Sequence, residues 1–328
     1  FVQDRENIEG CWTLFGDKSR YVDLETGVRA AIGDEALLEV VPGCELESGI
    51  TGGIEAAVAA ALRADVVVLA LGEPQRYSGE AQSRVEITLP PAQQALAEAV
   101  AMAGKPMVVL LRNGRALALQ GAVRNAQAVA VTWYLGTQTG HAVADVLFGD
   151  YNPSARLPVS FPQVSGQQPY FYNHPRTGRP ELPTMSEFKA RWREIPNEPL
   201  YAFGHGISYT SFAYGVPQLS SARLGWDDTL TITTTLTNTG SVAGEEVVQL
   251  YIHDRVASRV RPVRELKDFR KVMLQPGESA EVRFTLQRSQ LAFTGRDGVL
   301  RAEPGEFDLW VCASAISGSP VSFELLAG

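Results

Sequence analysis

The stretch Ile54-Glu-Ala-Ala-Val-Ala-Ala-Ala-Leu62, followed by Ala64-Asp65 and Val66-Val-Val-Leu-Ala-Leu71, decides the fold of the first half of the chain. Its alanine-rich part favours a helix, because alanine gives up no side-chain freedom there. The run that follows is continuous, apolar and rich in β-branched residues, the pattern of a strand buried on both faces. The alternation then repeats. Pro91 to Ala103 reads as a helix with proline at its start and Gly104 past its end, and Pro106 to Leu111 as the next strand. Ala128 to Trp133 reads as a third strand, with a helix through Gly140 to Phe148 behind it. Helix and strand in turn predict a mainly parallel-sheet α/β sandwich domain over residues 1–162.

Downstream the texture changes. Residues 163–212 read as a connector and long ordered loop, with Pro169, Pro175, Pro180, Pro183, Pro196 and Pro199 and no clear period. Loops of this kind often border an active site. His174 and Arg176 in it could approach a catalytic mouth, or the loop could simply pack on a neighbouring domain. From residue 213 the chain reads as β. Leu230 to Thr237 alternates apolar and hydroxyl side chains, Asn238-Thr-Gly240 is a turn, and Val247 to Ile252 is the next strand. Further strands are expected at 263–274, 279–286, 299–302, 306–312 and 320–326, with turns at Pro276-Gly277 and Asp297-Gly298. About seven short strands so spaced predict an immunoglobulin-like β-sandwich over 213–328.

Bulk properties narrow the function. The chain has 328 residues, room for about two domains. A net charge of −8 argues against nucleic acid as a partner, since phosphate binding needs concentrated Lys and Arg. No run of 18 apolar residues exists, so no membrane span is expected. The opening Phe1-Val-Gln-Asp-Arg5 lacks the basic start and apolar stretch of a signal peptide, and it reads as a piece of something longer. Cys11, Cys44 and Cys312 are too few and scattered for a disulfide framework or zinc site; free thiols are expected, a Cys11–Cys44 bridge being the alternative.

The most informative polar stretch follows the first clear strand: Gly72-Glu-Pro-Gln-Arg-Tyr-Ser-Gly-Glu80-Ala-Gln-Ser-Arg84. In an open parallel sheet, functional groups gather at the carboxyl ends of strands. Glycosidase chemistry needs a carboxylic acid that protonates a leaving oxygen and later deprotonates a water, and a glutamate on such a loop can supply it. Ordinary solvated loop charges are the competing reading. No Gly-x-Gly-x-x-Gly follows the strand, and no Walker, His-Glu-x-x-His or Gly-x-Ser-x-Gly sequence is present.

Six segments in order resemble the non-barrel part of family 3 glycoside hydrolases, bacterial β-glucosidases of the periplasmic type above all. They are Gly10-Cys-Trp12-Thr-Leu-Phe15-Gly16; Ala64 to Arg84; Gly104-Lys-Pro106 with Asn113-Gly-Arg115; and Phe148-Gly-Asp150-Tyr-Asn-Pro153 through Leu157-Pro-Val-Ser-Phe161-Pro162. The last two are Tyr201-Ala-Phe203-Gly-His205-Gly-Ile-Ser-Tyr209-Thr and the stretch from Thr237-Asn-Thr-Gly240 to Leu274-Gln-Pro-Gly277-Glu. The resemblance covers almost the whole chain.

It implies a three-part enzyme: a barrel carrying a nucleophilic aspartate, an α/β sandwich lending the acid/base glutamate, and a fibronectin type III domain. Glu80 matches the family's acid/base position and Glu73 is the second choice. Trp12 and Phe15 match aromatics that flank the sugar subsites. Arg84 keeps the family's basic position and counts with Trp12 and Phe15 among the candidate substrate-binding residues; it either holds Glu80 by a charge-assisted hydrogen bond or simply pairs on the surface. Ala81-Gln-Ser83 departs from the family's commoner Gly-Tyr-Asp, which puts the loop geometry in question. His205 is expected to fix a turn.

The barrel's aspartate has no counterpart here: Trp226-Asp-Asp228 falls in a turn of the β-domain. This chain alone is therefore expected to be inactive. The implied substrate is a β-glucoside or cello-oligosaccharide, the implied partner an N-terminal barrel of the same protein, with a homodimer left open. No metal or organic cofactor is implied. A periplasmic or secreted location follows from the resemblance alone. A β-xylosidase, an exo-β-glucanase or a non-catalytic carbohydrate-binding module are the alternatives.

Overall fold

The computed structural model describes residues 1–33, 38–180 and 188–328. The chain divides into two compact units: Phe1–Tyr151 with Pro162–Gln168, and Asn152–Phe161 with Pro169–Gly328.

The first unit runs α1 (Leu24–Ile32), α2 (Gly53–Arg63), β1 (Val67–Gly72), α3 (Pro91–Ala101), β2 (Met107–Arg112), α4 (Gly121–Arg124), β3 (Ala128–Val131) and α5 (Thr139–Phe148). The strands form a parallel sheet in the order β1-β2-β3, with Leu69 opposite Val109 and Val109 opposite Val129. The alternating pattern thus gives the fold class expected of it. Helix α1 has no counterpart in the sequence reading, although Asp23 caps it by accepting the Thr26 N–H at 2.8 Å. It packs on α5 almost backbone to backbone. A Cβ on Gly27 would stand 2.1 Å from the carbonyl carbon of Gly140, so only glycine fits. Leu24, Leu110 and Val143 bury the contact together with Ala70 and Ala130.

One expectation needs correction. β1 is not buried on both faces: Leu69 and Leu71 are buried, but Val68 is exposed. Among the described residues β1 is an edge strand of the sheet, and central β2 carries the nearly continuous burial instead.

The second unit is almost wholly β. Its strands are β4 (Phe212–Tyr214), β5 (Gln218–Leu219), β6 (Arg223–Leu224), β7 (Thr229–Asn238), β8 (Gly244–Asp254), β9 (Glu265–Leu274), β10 (Ser279–Gln287), β11 (Phe293–Thr294), β12 (Leu300–Arg301), β13 (Gly305–Cys312) and β14 (Val321–Leu325). One sheet has the order β10-β7-β4, with β5 also on β7; the other is β6-β14-β13-β8-β9. β11 and β12 form a separate hairpin. Ile232, Leu236, Val248, Leu250, Phe284 and Phe307 are among the side chains filling one core between the sheets. This is the sandwich that period-two alternation implies.

Two distant motifs of the sequence meet in this unit. Leu157 donates its N–H to the His205 carbonyl at 2.8 Å, and Phe161 donates to Tyr201 at 2.8 Å. His205 stacks on the Tyr201 ring at 5.3 Å, and burial holds its imidazole below the ordinary value, with Arg156 adding to the effect. Of the proline-rich stretch, Pro183 lies outside the described residues. Beyond Pro169 its described part belongs to the second unit: Tyr172 stacks on Phe203 at 4.2 Å, and the His174 carbonyl accepts the Val263 N–H at 3.0 Å. Cys11, Cys44 and Cys312 are all free thiols. Among the described residues no helix is long and apolar enough to cross a membrane.

Candidate active site

The site grows from the exit of β1. Gly72 has a φ of +146°, and a Cβ there would overlap the Arg112 carbonyl oxygen at 1.7 Å, so glycine is obligatory. Gln93 of α3, itself buried, locks this residue from both sides. Its Oε1 accepts the Gly72 N–H at 2.7 Å and its Nε2 donates to the Gly72 carbonyl at 2.9 Å. Glu73 follows, its N–H donating to the Arg112 carbonyl at 2.8 Å. The backbone at the root of the loop is therefore fixed by the sheet and one helix.

Glu73 is fully buried. One carboxylate oxygen accepts from Nη1 of Arg84, and the other lies 3.3 Å from Nε of Arg115. Arg115 also donates through Nη2 to the Tyr77 carbonyl, and Arg84 donates to the Thr88 carbonyl at 3.2 Å. The Arg84 guanidinium sits 4.8 Å above the Tyr77 ring. Arg84 thus holds Glu73, not Glu80. The reason is geometric: Glu73 is the carboxylate at the loop root, and the Arg84 guanidinium reaches back to it.

A short 3-10 turn, Gln75–Tyr77, lifts the chain away from the sheet. Asn7 braces it by accepting the Gln75 N–H at 2.7 Å. The apex is a turn in which the Gln82 N–H reaches the Gly79 carbonyl at 3.3 Å. Glu80 stands in that turn. Its side chain is exposed and has neither hydrogen bond nor ion pair to any described residue. Ala81 beside it has a φ of +56°, the left-handed region that costs a residue with a Cβ about 1–2 kcal/mol. Among the described residues only Trp133, just past β3, is another non-glycine with positive φ. Both strained residues lie past the carboxyl ends of strands, where strain often marks function.

The aromatic loop lies next to this apex. A Cβ on Gly79 would stand 3.3 Å from Sγ of Cys11, so the segment Gly10 to Gly16 adjoins the acid loop. Trp12 is 64% exposed, Leu14 82% and Phe15 93%, a run of large apolar side chains turned outward. Of the residues singled out from sequence, Glu80, Trp12 and Phe15 therefore lie on neighbouring loops of one unit. Glu73 and Arg84 form the support beneath. Arg115 and Gln93, which complete that support, went unassigned. The Asn113-Gly-Arg115 motif at the end of β2 was the signal for Arg115; Gln93 on a helix gave none.

Residues 2–209 match the glycosyl hydrolase family 3 C-terminal domain, and residues 246–315 a fibronectin type III-like domain. The chain is 39% identical to a periplasmic β-glucosidase of Salmonella typhimurium, covering 99% of this chain and 45% of that protein. It is 36% identical to a β-xylosidase of Formosa agariphila, covering 94% and 42%. Among solved structures, the β-glucosidase of Listeria innocua in complex with isofagomine superposes with a TM-score of 0.93 at 38% identity, covering 99% and 45%. The chain spans less than half the length of these relatives.

Proposed function

Because this chain belongs to glycosyl hydrolase family 3, we propose that it supplies Glu80 as the general acid/base of a retaining, exo-acting β-glucosidase, which removes terminal non-reducing β-D-glucosyl residues. The observation that carries the reading is the contrast between two carboxylates of one loop. Both oxygens of Glu73 are engaged by guanidiniums, whereas Glu80 is exposed at the apex and engages no described residue. A general acid must reach the leaving oxygen, and of these two carboxylates Glu80 is the one free to do so.

The nucleophilic aspartate then lies on a barrel domain outside these 328 residues, which is the chain's main partner. The aspartate attacks the anomeric carbon while Glu80 gives its proton to the departing oxygen. Water next enters, Glu80 takes a proton from it, and the hydroxide displaces the aspartate. Retention by this route requires the two carboxyl groups about 5–5.5 Å apart. Trp12 and Phe15 offer faces for the apolar C–H side of a pyranose. Arg84 acts through the loop and not on the sugar. The substrate is a β-glucoside or cello-oligosaccharide. The Salmonella relative supports a periplasmic or secreted setting. The functional division is an acid-loop domain at 1–162, a connector at 163–212 and a fibronectin-like domain at 213–328. No cofactor enters the reaction.

The Formosa relative favours a second reading, a β-xylosidase with the same acid. Turnover of 4-nitrophenyl β-glucoside against the β-xyloside separates the two. Glu80 itself is tested in the complete enzyme. Glu80→Gln should slow cleavage of alkyl β-glucosides by roughly 10²–10⁴-fold, and much less for 2,4-dinitrophenyl β-glucoside, whose leaving group needs no proton. Glu80→Ala with azide should yield a glucosyl azide. Unchanged turnover would sink the assignment and favour a carbohydrate-binding module.

A further inference from the structure

We infer that Glu73, with Arg84 and Arg115, is a clamp that positions Glu80 and takes no part in proton transfer itself; this rests on the reading of Glu80 as acid/base. Glu73, Tyr77, Arg84 and Thr88 are drawn into one cluster by the two guanidiniums. Only the short arc from Ser78 to Ser83 is left between them, and its Gly79–Gln82 turn contains Glu80. Glu73 in turn is tied to the sheet through the Arg112 carbonyl, and Gly72 before it through Gln93. The arc therefore leaves the unit from two fixed feet.

A buried carboxylate flanked by two arginines is a weak source of stability, because desolvation offsets most of the attraction and apolar replacements are often as stable. What such a group does well is fix geometry. A glutamate that must meet a sugar on another folded unit depends on that, since a displacement of about 1 Å can cost 10²-fold in rate. The clamp and the acid are separate in space and in chemistry: Glu73 has no oxygen open to solvent, and Glu80 has no partner among the described residues.

The test uses the complete enzyme and several leaving groups. Glu73→Gln should lower kcat on alkyl β-glucosides by about 10- to 100-fold, with KM little changed. On 2,4-dinitrophenyl β-glucoside the loss should stay within about threefold, because no proton is needed there. Azide should give no glucosyl azide, since Glu80 still occupies its place. Arg84→Lys keeps the charge but loses the planar fork, and should show the same leaving-group dependence with a smaller loss; it decides the matter if Glu73→Gln does not fold. Glucosyl azide from Glu73→Ala would make Glu73 the acid itself and overturn the clamp. So would losses equal for all leaving groups, or none at all, in folded variants. Failure of the Glu80 variants to show leaving-group dependence would instead refute the acid assignment, so the two ideas fail separately.

Discussion

Asp254, the last residue of β8, is buried, and its Oδ2 has no hydrogen-bond partner. Burial pushes its carboxyl from 3.8 up to about 6, although the Val256 N–H and the charges of Arg261 and His253 pull the other way. The folded state therefore holds this proton more tightly than the unfolded chain. Its effect on stability is neutral below about pH 4, and turns unfavourable as pH rises through about 6, to at most about 3 kcal/mol. Asp254→Asn cannot ionise. The difference in unfolding free energy between the variant and the parent should grow in the variant's favour by about 2–3 kcal/mol between pH 4 and pH 7.5. Urea titrations at the two pH values measure it, and a difference independent of pH would remove the assignment. The same scale shows what residue types can and cannot reveal. Two glutamates and two arginines in the loop were legible as candidate chemistry. That Arg84 pairs with Glu73 was not, because Glu73 and Glu80 are equivalent carboxylates until the loop has a shape.

Asn238, the last residue of β7, explains why two distant turn motifs occur together. Its Nδ2 donates to the carbonyls of Val242 at 2.8 Å and Leu274 at 3.0 Å. Its Oδ1 accepts from the Thr210 hydroxyl at 2.6 Å and the Gly240 N–H at 3.1 Å. Its backbone N–H and carbonyl meet the turn around Pro276-Gly277, donating to Glu278 at 2.9 Å and accepting from Gly277 at 2.9 Å. One fully buried side chain thus ties the ends of β7 and β9. Asn238→Ala would leave several buried polar groups unpaired and should destabilise the chain by about 3 kcal/mol, read as a lowered denaturation midpoint; a shift under one third of that would refute it. Elements were the most legible level, since helix and strand periods are local. Even so, α1 went unassigned, although the Asp23 cap and the amphipathic nine residues after it are a local signal; only its seat, Gly27 against Gly140, lies beyond the reach of local pattern.

Across the whole molecule, the chain passes from the first unit through Asn152–Phe161, which packs with the second. Arg156 anchors this segment: its Nη2 meets Glu246 of β8 at 2.6 Å, and its Nη1 donates to the carbonyls of Ser154 and Ala155 at 3.1 and 3.0 Å. The Tyr214 hydroxyl donates to the other Glu246 oxygen at 3.0 Å. Burial raises the Glu246 carboxyl above its usual range, against the pull of Arg156. Arg156→Met should therefore cost about 3–5 kcal/mol, because it strands a buried carboxylate, whereas Arg156→Met with Glu246→Leu should recover much of that. Chemical denaturation of both variants checks it; a double variant as unstable as the single would contradict the account. By itself the sequence determined the two fold classes, the parallel sheet, and the placing of a carboxylate loop past β1, because hydrophobic period and turn chemistry act over a few residues. Only the tertiary structure decided which charge holds which. Partners such as Glu73 with Arg115, or Arg156 with Glu246, are far apart along the chain, and their choice is made by the packing that brings them together.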